Sequence, residues 1–155
     1  MLDFEDIRKR TTNIKGYIDA LSEKDKDIVM ELYEEYKINE EALSELREIL
    51  KDLKVVIFSA GWCGDCKRAI PPLLHLEEKA GLKAMVFGDI KTDPLNKNVQ
   101  WKVPPSPPEI NEWGATAIPW LEFFDSAGNK VGTLIEKPTV KETIEEEILY
   151  ILKNK

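Results

Sequence analysis

The sequence predicts an α/β fold in which one mixed β-sheet is flanked by helices and preceded by an α-helical N-terminal extension. Three observations support this prediction. Residues 1–52 show apolar residues at helical spacing, residues 53–155 follow a strand–helix–strand pattern, and the chain ends in a hairpin pattern and an amphipathic helix. This order packs most simply as one sheet between helices, and 155 residues suffice for one domain with a buried core.

In residues 1–52, three apolar stripes predict successive helices. Ser22 followed by Asp25 resembles a capping box, and Asn39 is a candidate N-cap for the next helix. We see no catalytic constellation here, so the stripes are either core and docking faces or a partner-binding surface. The stripes consist of Ile14, Tyr17, Ile18 and Leu21, then Ile28, Val29, Leu32, Tyr33 and Tyr36, then Leu43, Leu46, Ile49, Leu50 and Leu53.

The next segment predicts a β-α-β unit. Residues 55–58 form a short apolar run rich in β-branched side chains, which is typical of a buried strand. A helix follows, in which Pro71 and Pro72 predict a kink and Gly81 marks the end. Residues 84–88 predict a second strand. Because a helix connects the two strands, they should be parallel.

The second half of the chain predicts a loop, a short helix and a hairpin. Residues 92–108 carry mostly loop signals, including a proline cluster too dense for a helix or a central strand. A short helix is expected around residues 109–113. The strands of the hairpin are expected at residues 120–124 and 130–135, joined by a turn at residues 126–129.

A last amphipathic helix is predicted after Pro138. Thr139 and Glu142 have the spacing of a capping box, with Asp or Glu three residues after the cap. The helix should therefore begin close to Thr139. Its expected apolar face consists of Val140, Ile144, Ile148, Ile151 and Leu152.

The composition argues against two classes of partner. Lys and Arg number 22 against 29 Asp and Glu, which gives a formal net charge of −7. Nucleic acids and anionic membranes attract basic surfaces, so neither is expected as a main partner. No apolar run approaches the roughly 18–20 residues of a membrane-spanning helix. The start of the chain, MLDFEDIRKR, lacks the apolar segment of a secretory signal. We therefore expect a cytoplasmic protein.

The two cysteines, Cys63 and Cys66, lie in one CxxC motif at the predicted start of a helix. The free N–H groups and dipole of a helix N-terminus stabilise a thiolate. Cys63 is therefore the expected nucleophile, and Cys66, one turn further on, the expected resolving thiol. Gly64 permits a tight turn. The charge of Asp65 disfavours a thiolate on Cys63, an effect that the basic residues 67 and 68 oppose.

Other interpretations of the motif remain open. Zinc prefers four ligands, and the chain offers two cysteines and one histidine, so a metal site would need a dimer or borrowed ligands. A third interpretation is a site no longer used in catalysis. If the helix is unbroken, His75 lies nine residues past Cys66, about 13 Å along the axis. We therefore expect His75 to be a surface or packing residue rather than a local base.

The active-site segment FSAGWCGDCK at residues 58–67 resembles the thioredoxin family, as do Pro71, the Ala-Ile-Pro of residues 117–119 and the FFD of residues 123–125 with Gly128. The similarity covers residues 53–155. It implies a thioredoxin-like fold and a thiol–disulfide oxidoreductase that reduces disulfide-containing protein substrates. It also implies no cofactor on the chain and a thioredoxin-reductase-like electron donor.

The resemblance further implies a substrate groove. In this family the proline that corresponds to Pro119 is cis and faces the CxxC motif, so an extended substrate could pair with the backbone near Ile118. Trp62 would add an apolar docking surface beside the nucleophile. The substrate-binding residues expected from the resemblance are Trp62, Gly64, Asp65, Ile118 and Pro119.

The sequence also departs from the family pattern. Asp65 stands where proline is common, and Trp120 follows Pro119 where threonine is common. The family's buried acid below the resolving cysteine aligns with Ile57, and the lysine that often accompanies it aligns near Phe87. The proton of Cys66 therefore goes to water, to Asp65 or to a group that the sequence does not identify.

Two segments add to the minimal fold, and they support an alternative function. The loop before Pro119 carries Trp101 and a proline cluster, and it forms either a lip over the active site or a rigid connection. Residues 1–52 form the helical extension. In the alternative, the extension and residues 104–108 recognise a partner, and the CxxC motif is a redox switch of a binding module. The oligomeric state is left open by the sequence.

Overall fold

The computed structural model describes residues 2–91, 95 and 106–154, and these form one α/β structure of four strands and eight helical segments. In chain order the elements are α1 (Phe4–Arg10), α2 (Ile14–Asp19), α3 (Glu23–Glu35), α4 (Glu40–Ile49), a 3₁₀ helix (Leu50–Asp52), β1 (Lys54–Phe58), α5 (Gly64–Lys79), β2 (Ala84–Phe87), α6 (Glu109–Glu112), β3 (Trp120–Phe124), β4 (Lys130–Ile135) and α7 (Ile144–Lys153).

The four strands form one mixed sheet in the order β2-β1-β3-β4. β1 and β2 are parallel, with Val55 opposite Ala84, which confirms the predicted β-α-β unit. β3 runs antiparallel to β1, and β4 forms the predicted hairpin with β3. At the outer edge of β2, Thr12 forms an antiparallel bridge with Val86. A residue between α1 and α2 therefore covers part of this edge.

Side chains of β1 point alternately to the two faces of the sheet, and each face has its own core. Val55 and Ile57 join a large cluster with buried side chains of α2–α5 and α7. Val56 and Phe58 join a second cluster that includes residues of α1 and α6 and both cysteines. Helices therefore cover both faces of the sheet, as the sequence predicts.

The helices of residues 1–52 begin at side-chain caps. Ser22 accepts the N–H of Asp25, and Asn39 accepts the N–H of Ala42, which confirms both predicted caps. Asn13 caps α2 in the same way. Each cap satisfies an N–H group that would otherwise lack a partner at the helix start.

Two buried or half-buried carboxylates attach these helices to the rest of the chain. Glu77 of α5 accepts the backbone N–H groups of Ile14 and its neighbour at the start of α2. Glu145 of α7, fully buried, accepts the Tyr36 hydroxyl at 2.5 Å and the Asn39 N–H at 2.9 Å. Residues 1–52 thus share hydrogen bonds and one hydrophobic core with residues 53–155.

Helix α5 continues through Pro71 and Pro72, both of which are buried. Neither proline can donate an N–H group to the carbonyl one turn back. Gly81 follows the C-cap with φ +70°, a left-handed conformation that glycine adopts without strain. The end of the helix is where the sequence predicts it.

The start of the last helix was predicted wrongly. α7 begins after Thr143, whose side-chain oxygen accepts the N–H of Glu146, rather than at the predicted box of Thr139 and Glu142. The competing pair, Thr143 and Glu146, has the same spacing. Both pairs satisfy the sequence pattern, so the pattern alone could not choose between them.

Glu147 explains why the earlier pair does not start the helix. Its carboxylate accepts the backbone N–H groups of residues 139–141 at distances of 2.8–3.2 Å, and this holds them in a loop above the helix start. Val140, predicted on the apolar face, is instead 58% exposed. Ile144, Ile148 and Leu152 are buried as predicted.

The predicted loop at residues 92–108 lies largely outside the described residues. This holds for Trp101 and for residues 103–105 of the proline cluster. The short helix expected next is present as α6.

Candidate active site

The two cysteines lie where the chain passes from β1 into α5. Cys63 is the N-cap of the helix, and its sulfur accepts the N–H of Cys66 at 3.2 Å. The N–H of Cys63 in turn donates to the carbonyl of Ala60, which closes a tight turn after the strand. Both cysteines are free thiols in the structure. The capping position places the Cys63 sulfur at the positive end of the helix dipole.

The environment of Cys63 favours its thiolate. The hydrogen bond from the Cys66 thiol is the main cause, and the backbone N–H groups of Cys66 and Asp65 add to it. Burial and the charge of Asp65 act in the opposite direction. The hydrogen bonds outweigh these two effects, and the pKa of Cys63 is lowered to about 7. A thiol with this pKa is substantially ionised at neutral pH, which is the nucleophilic form.

The environment of Cys66 favours its neutral thiol. Cys66 is fully buried, whereas Cys63 retains 8% of its exposure. Burial raises the pKa of Cys66, and the hydrogen bond with Cys63 raises it further. The Ser59 side chain opposes this shift and lowers the pKa of Cys66. Cys66 can therefore donate to the Cys63 thiolate and stays protonated itself.

The charges around the motif are paired across two helices. Arg68 donates to Asp65 at 2.6 Å and forms an ion pair with the acidic residue inside the motif. Lys67, expected from the sequence to offset Asp65 as well, instead forms an ion pair with Asp25 of α3 at 2.9 Å. The sequence does not predict this ion pair, because Asp25 and Lys67 are far apart in the chain. Of the two basic residues near the thiols, Lys67 is therefore paired with an acidic residue of the N-terminal helices.

A second segment crosses the face of the nucleophile. The Ile118–Pro119 peptide bond is cis. The Cys63 thiol donates to the Ile118 carbonyl at 3.7 Å, and Ile118 is buried. The Pro119 carbonyl accepts the N–H of Glu136 at 2.7 Å, so this segment is also tied to the end of β4. The structure thus brings Ile118 and Pro119 next to Cys63.

Trp62 provides an exposed apolar surface beside the thiols. It is 58% exposed, and its indole N–H donates to the Ile90 carbonyl at 3.0 Å, which fixes one edge of the ring. Gly64 is the first residue of α5. The structure therefore places all of the sequence-predicted site residues, from Trp62 to Cys66 and at residues 118–119, around one thiol.

Sequence analysis missed two polar side chains next to the site. The Ser59 hydroxyl donates to the Tyr17 hydroxyl at 2.9 Å, and both residues are buried. Tyr17 lies on an apolar stripe of the N-terminal helices, so its sequence pattern indicates only a core position. Ser59 lies within the active-site segment, but its partner is 42 residues away in the chain. A signal for this contact therefore exists only in the fold.

His75 packs inside the protein. It is 7% exposed and stacks on Tyr33 with ring centroids 4.3 Å apart. Neither ring nitrogen has a hydrogen-bond partner among the described residues. This confirms the expectation of a packing residue. Among the residues that the structure describes, no group of three or more His, Cys, Asp or Glu side chains could hold a metal ion.

Apolar side chains occupy the positions where the family resemblance expects an acid and a lysine. Ile57 is fully buried and Phe87 is 6% exposed. Phe87 stacks against Phe58. Neither residue can exchange a proton with Cys66.

These features define a class of protein: a mixed sheet that carries a capped CxxC dithiol and a cis-proline at its side. The sequence model of a family described as thioredoxin matches residues 11–148. The chain belongs to the thioredoxin family, a family of thiol–disulfide oxidoreductases. The match begins within the N-terminal helices, so the family covers more of the chain than residues 53–155.

Solved structures are similar over almost the full length. A protein of unknown function from Pseudomonas aeruginosa has a TM-score of 0.73 at 12% identity, with 99% of each chain covered. An HIV epitope scaffold has a TM-score of 0.70 at 11% identity, also with 99% of each chain covered. A thioredoxin pre-protein of Schistosoma mansoni has a TM-score of 0.44 at 22% identity, covering 77% of this chain and 93% of its own. No curated protein matches the chain. The first two show that the whole fold recurs, N-terminal helices included.

Proposed function

We propose that this protein reduces protein disulfides with the Cys63–Cys66 dithiol. The observation that carries the proposal is the difference between the two thiols. Cys63 has a lowered pKa and the greater exposure, whereas Cys66 has a raised pKa and no exposure. A reductant needs one thiolate that reaches the substrate and a second thiol that waits until the first has reacted.

The reaction proceeds in two exchanges. The Cys63 thiolate attacks one sulfur of the substrate disulfide, forms a mixed disulfide and releases the other sulfur as a thiolate. Cys66 loses its proton and attacks the Cys63 sulfur. The Cys63–Cys66 bond forms, the bond to the substrate breaks, and the second substrate sulfur leaves. Two electrons have then passed from the dithiol to the substrate.

The surfaces around Cys63 suit an extended substrate chain. Trp62 offers an exposed ring on one side, and the Ile118–Pro119 segment lies on the other. A substrate strand that pairs with the backbone near Ile118 would bring its disulfide against the Cys63 sulfur. Gly64 and Asp65, at the start of α5, complete the groove.

The wider setting of the reaction follows from the same proposal. The oxidised protein needs electrons from elsewhere, and a thioredoxin-reductase-like flavoprotein is the expected donor. No bound cofactor is needed for thiol exchange. No helix in the described ranges combines the length and the apolar character needed to cross a membrane. The cytoplasmic location stays a prediction.

The alternative binding-module function gains less support from the fold. It assigns partner recognition to the helices of residues 1–52 and to residues 104–108, of which 104 and 105 lie outside the described residues. Their apolar stripes, however, are largely buried in the core that they share with α5, α7 and the sheet: Tyr17 is 4% exposed, and Val29 and Leu46 are fully buried. These stripes act as core faces, which was one of the two interpretations of their pattern.

The midpoint potential of the Cys63–Cys66 pair tests the proposal. The protein would be equilibrated in defined thiol–disulfide buffers, and its thiols trapped and counted. A two-electron transition near about −270 mV is expected for a disulfide reductant, whereas about −180 mV or higher indicates an isomerase or oxidant. The double variant in which both cysteines are replaced by serine is the control. The absence of any reversible transition would overturn the enzymatic function itself.

A further inference from the structure

The proton of Cys66 has to leave a fully buried site before Cys66 can attack. Cys66 is 0% exposed, and Ile57, which aligns with the buried acid of the family, is fully buried and apolar. The polar side chains that act on Cys66 are those of Cys63 and Ser59. At this stage the Cys63 sulfur is bonded to the substrate in the mixed disulfide, so it is no longer a thiolate that could take the proton. Because the thiolate is the attacking form, the buried thiol needs a route for its proton.

Two buried hydroxyl groups near Cys66, those of Ser59 and Tyr17, are hydrogen-bonded to each other. The Ser59 side chain lowers the pKa of Cys66, and its hydroxyl donates to the Tyr17 hydroxyl at 2.9 Å. Ser59 is fully buried and Tyr17 is 4% exposed. A buried hydroxyl can accept one proton while donating another, so two in series can pass a proton on.

The Tyr17 ring is fixed in position by the chain at the end of β2. A Cβ atom on Gly88 would lie 2.7 Å and 2.8 Å from two carbons of the ring. The absence of a side chain at Gly88 therefore makes room for the ring. This close packing and the Ser59 hydrogen bond together hold the Tyr17 hydroxyl beside the active-site loop.

Tyr17 also lines a cavity of about 460 Å³. It is lined by Tyr17, Asp25 of α3 and Gly61 of the active-site loop, among others. This volume has room for several water molecules at roughly 30 Å³ each. The Asp25 carboxylate, paired with Lys67, stands at the same cavity. The cavity therefore has room for water beside Tyr17, and the Asp25 carboxylate lines the same cavity.

We propose that Ser59 and Tyr17 relay the Cys66 proton to this cavity while the mixed disulfide is resolved. The Cys66 proton moves to the Ser59 oxygen, the Ser59 proton to the Tyr17 oxygen, and the Tyr17 proton to water in the cavity. The Cys66 sulfur then attacks Cys63, and the substrate sulfur leaves with the electron pair of the broken bond. The relay deepens the proposed function and rests on it.

The surroundings suit a relay rather than a stored charge. Burial raises the pKa of the Tyr17 hydroxyl, and the neighbouring active-site cysteines and Asp25 raise it further, so Tyr17 stays neutral. Ser59 acts on the pKa of Cys66, whereas Tyr17 acts through its hydrogen bond with Ser59 as a positioning and relay residue. The charged or titratable groups that line the cavity or act on Tyr17 are Lys9, Arg10, Asp25, Cys63, Cys66 and Asp89, and Lys67 pairs with Asp25.

A single-turnover reaction of the reduced protein with one equivalent of 5,5′-dithiobis(2-nitrobenzoate) separates the two steps. Attack by Cys63 releases the first thionitrobenzoate, and resolution by Cys66 releases the second. Tyr17→Phe should slow the second release on the order of tenfold to a hundredfold and move its pH midpoint upward, while the first release keeps its rate. Tyr33→Phe is the matched control, because the Tyr33 hydroxyl bonds Glu78 instead. It should leave both releases unchanged.

Ser59→Ala provides a second, independent break in the relay. It should slow the second release as Tyr17→Phe does, and the double variant should be no slower than the slower single variant, since both remove one path. Wild-type second-release rates in both single variants, or an equal slowing of both releases, would overturn the relay. If Tyr17→Phe does not fold, Ser59→Ala decides alone. A wild-type protein that releases one equivalent only would overturn the proposed function, and the relay with it.

Discussion

The two thiols lie within one helical turn, yet their surroundings have opposite effects. Cys63 caps α5, accepts backbone N–H groups and has a pKa lowered to about 7. Cys66 belongs to the first turn of the same helix, is fully buried and has a raised pKa. The helix dipole alone would favour a thiolate at both positions. The difference shows that burial and the direction of the hydrogen bond between the thiols decide which one ionises.

The same difference assigns the two thiols to successive steps. The thiol that donates the hydrogen bond stabilises the thiolate that accepts it, so one ionised sulfur faces the substrate groove. The buried thiol becomes reactive only when its proton can leave. The predictions below test this division, from the largest expected effect to the smallest.

Replacing the two cysteines one at a time should break the division most strongly. Cys63→Ser is expected to reduce disulfide reduction to the uncatalysed background, because the attacking thiolate is lost. Cys66→Ser should still attack the substrate and then accumulate the mixed disulfide. Mass spectrometry of the protein after reaction with a disulfide-containing peptide measures both outcomes. A mixed disulfide on Cys66 in the Cys63→Ser variant, formed at the wild-type rate, would contradict the assignment.

The alkylation rate of Cys63 should follow its lowered pKa. Between pH 5 and 9 the rate with iodoacetamide is expected to rise on the order of a hundredfold, because the thiolate is the reacting form. The midpoint of the rise should lie at about pH 7. Since the folded pKa lies below that of an unstructured thiol, the reduced protein should gain stability as the pH rises from about 7 to about 9. It should lose that stability as the pH falls through about 7.

Two substitutions of Cys66 sharpen the pH experiment. Cys66→Ser keeps a donor beside Cys63, so the alkylation midpoint should stay near the wild-type value. Cys66→Ala removes the donor, so the midpoint should move upward. Equal midpoints in the two variants would show that the hydrogen bond from residue 66 is not the main cause of the lowered pKa.

Gly88→Ala should disturb the surroundings of Cys66 and spare Cys63. The new methyl group would displace the buried Tyr17 ring, which we expect to lower the free energy of unfolding by about 1–3 kcal/mol. Resolution by Cys66 should slow, and alkylation of Cys63 should not. Urea unfolding and the two-step thionitrobenzoate release measure these effects. Tyr17→Phe is the comparison, since it removes the hydroxyl and keeps the ring; it should slow resolution with a smaller loss of stability, about 1 kcal/mol.

The sequence was sufficient for the local part of this site and insufficient for the rest. The CxxC motif, the helix it begins and the flanking strands follow from residues close together in the chain, and all were predicted. The contacts around the two thiols that the sequence did not predict come from other parts of the chain. Tyr17 of α2 accepts a hydrogen bond from Ser59, and Asp25 of α3 forms an ion pair with Lys67. A periodic stripe predicts that Tyr17 is buried, but periodicity carries no information about the partner of its hydroxyl.

Asp65→Asn should lower the pKa of Cys63 slightly and leave the resolution step of Cys66 unchanged. The Asp65 charge raises the pKa of Cys63, but Arg68 pairs with that carboxylate at 2.6 Å and offsets much of its field. Removing the charge should therefore lower the alkylation midpoint by only about a few tenths of a pH unit. Asp52→Asn, at an exposed position in the 3₁₀ helix, is the matched control and should not move it. A shift of a full unit would mean that Arg68 does not neutralise Asp65 in solution, whereas an upward shift would reverse the sign of its effect on the nucleophile.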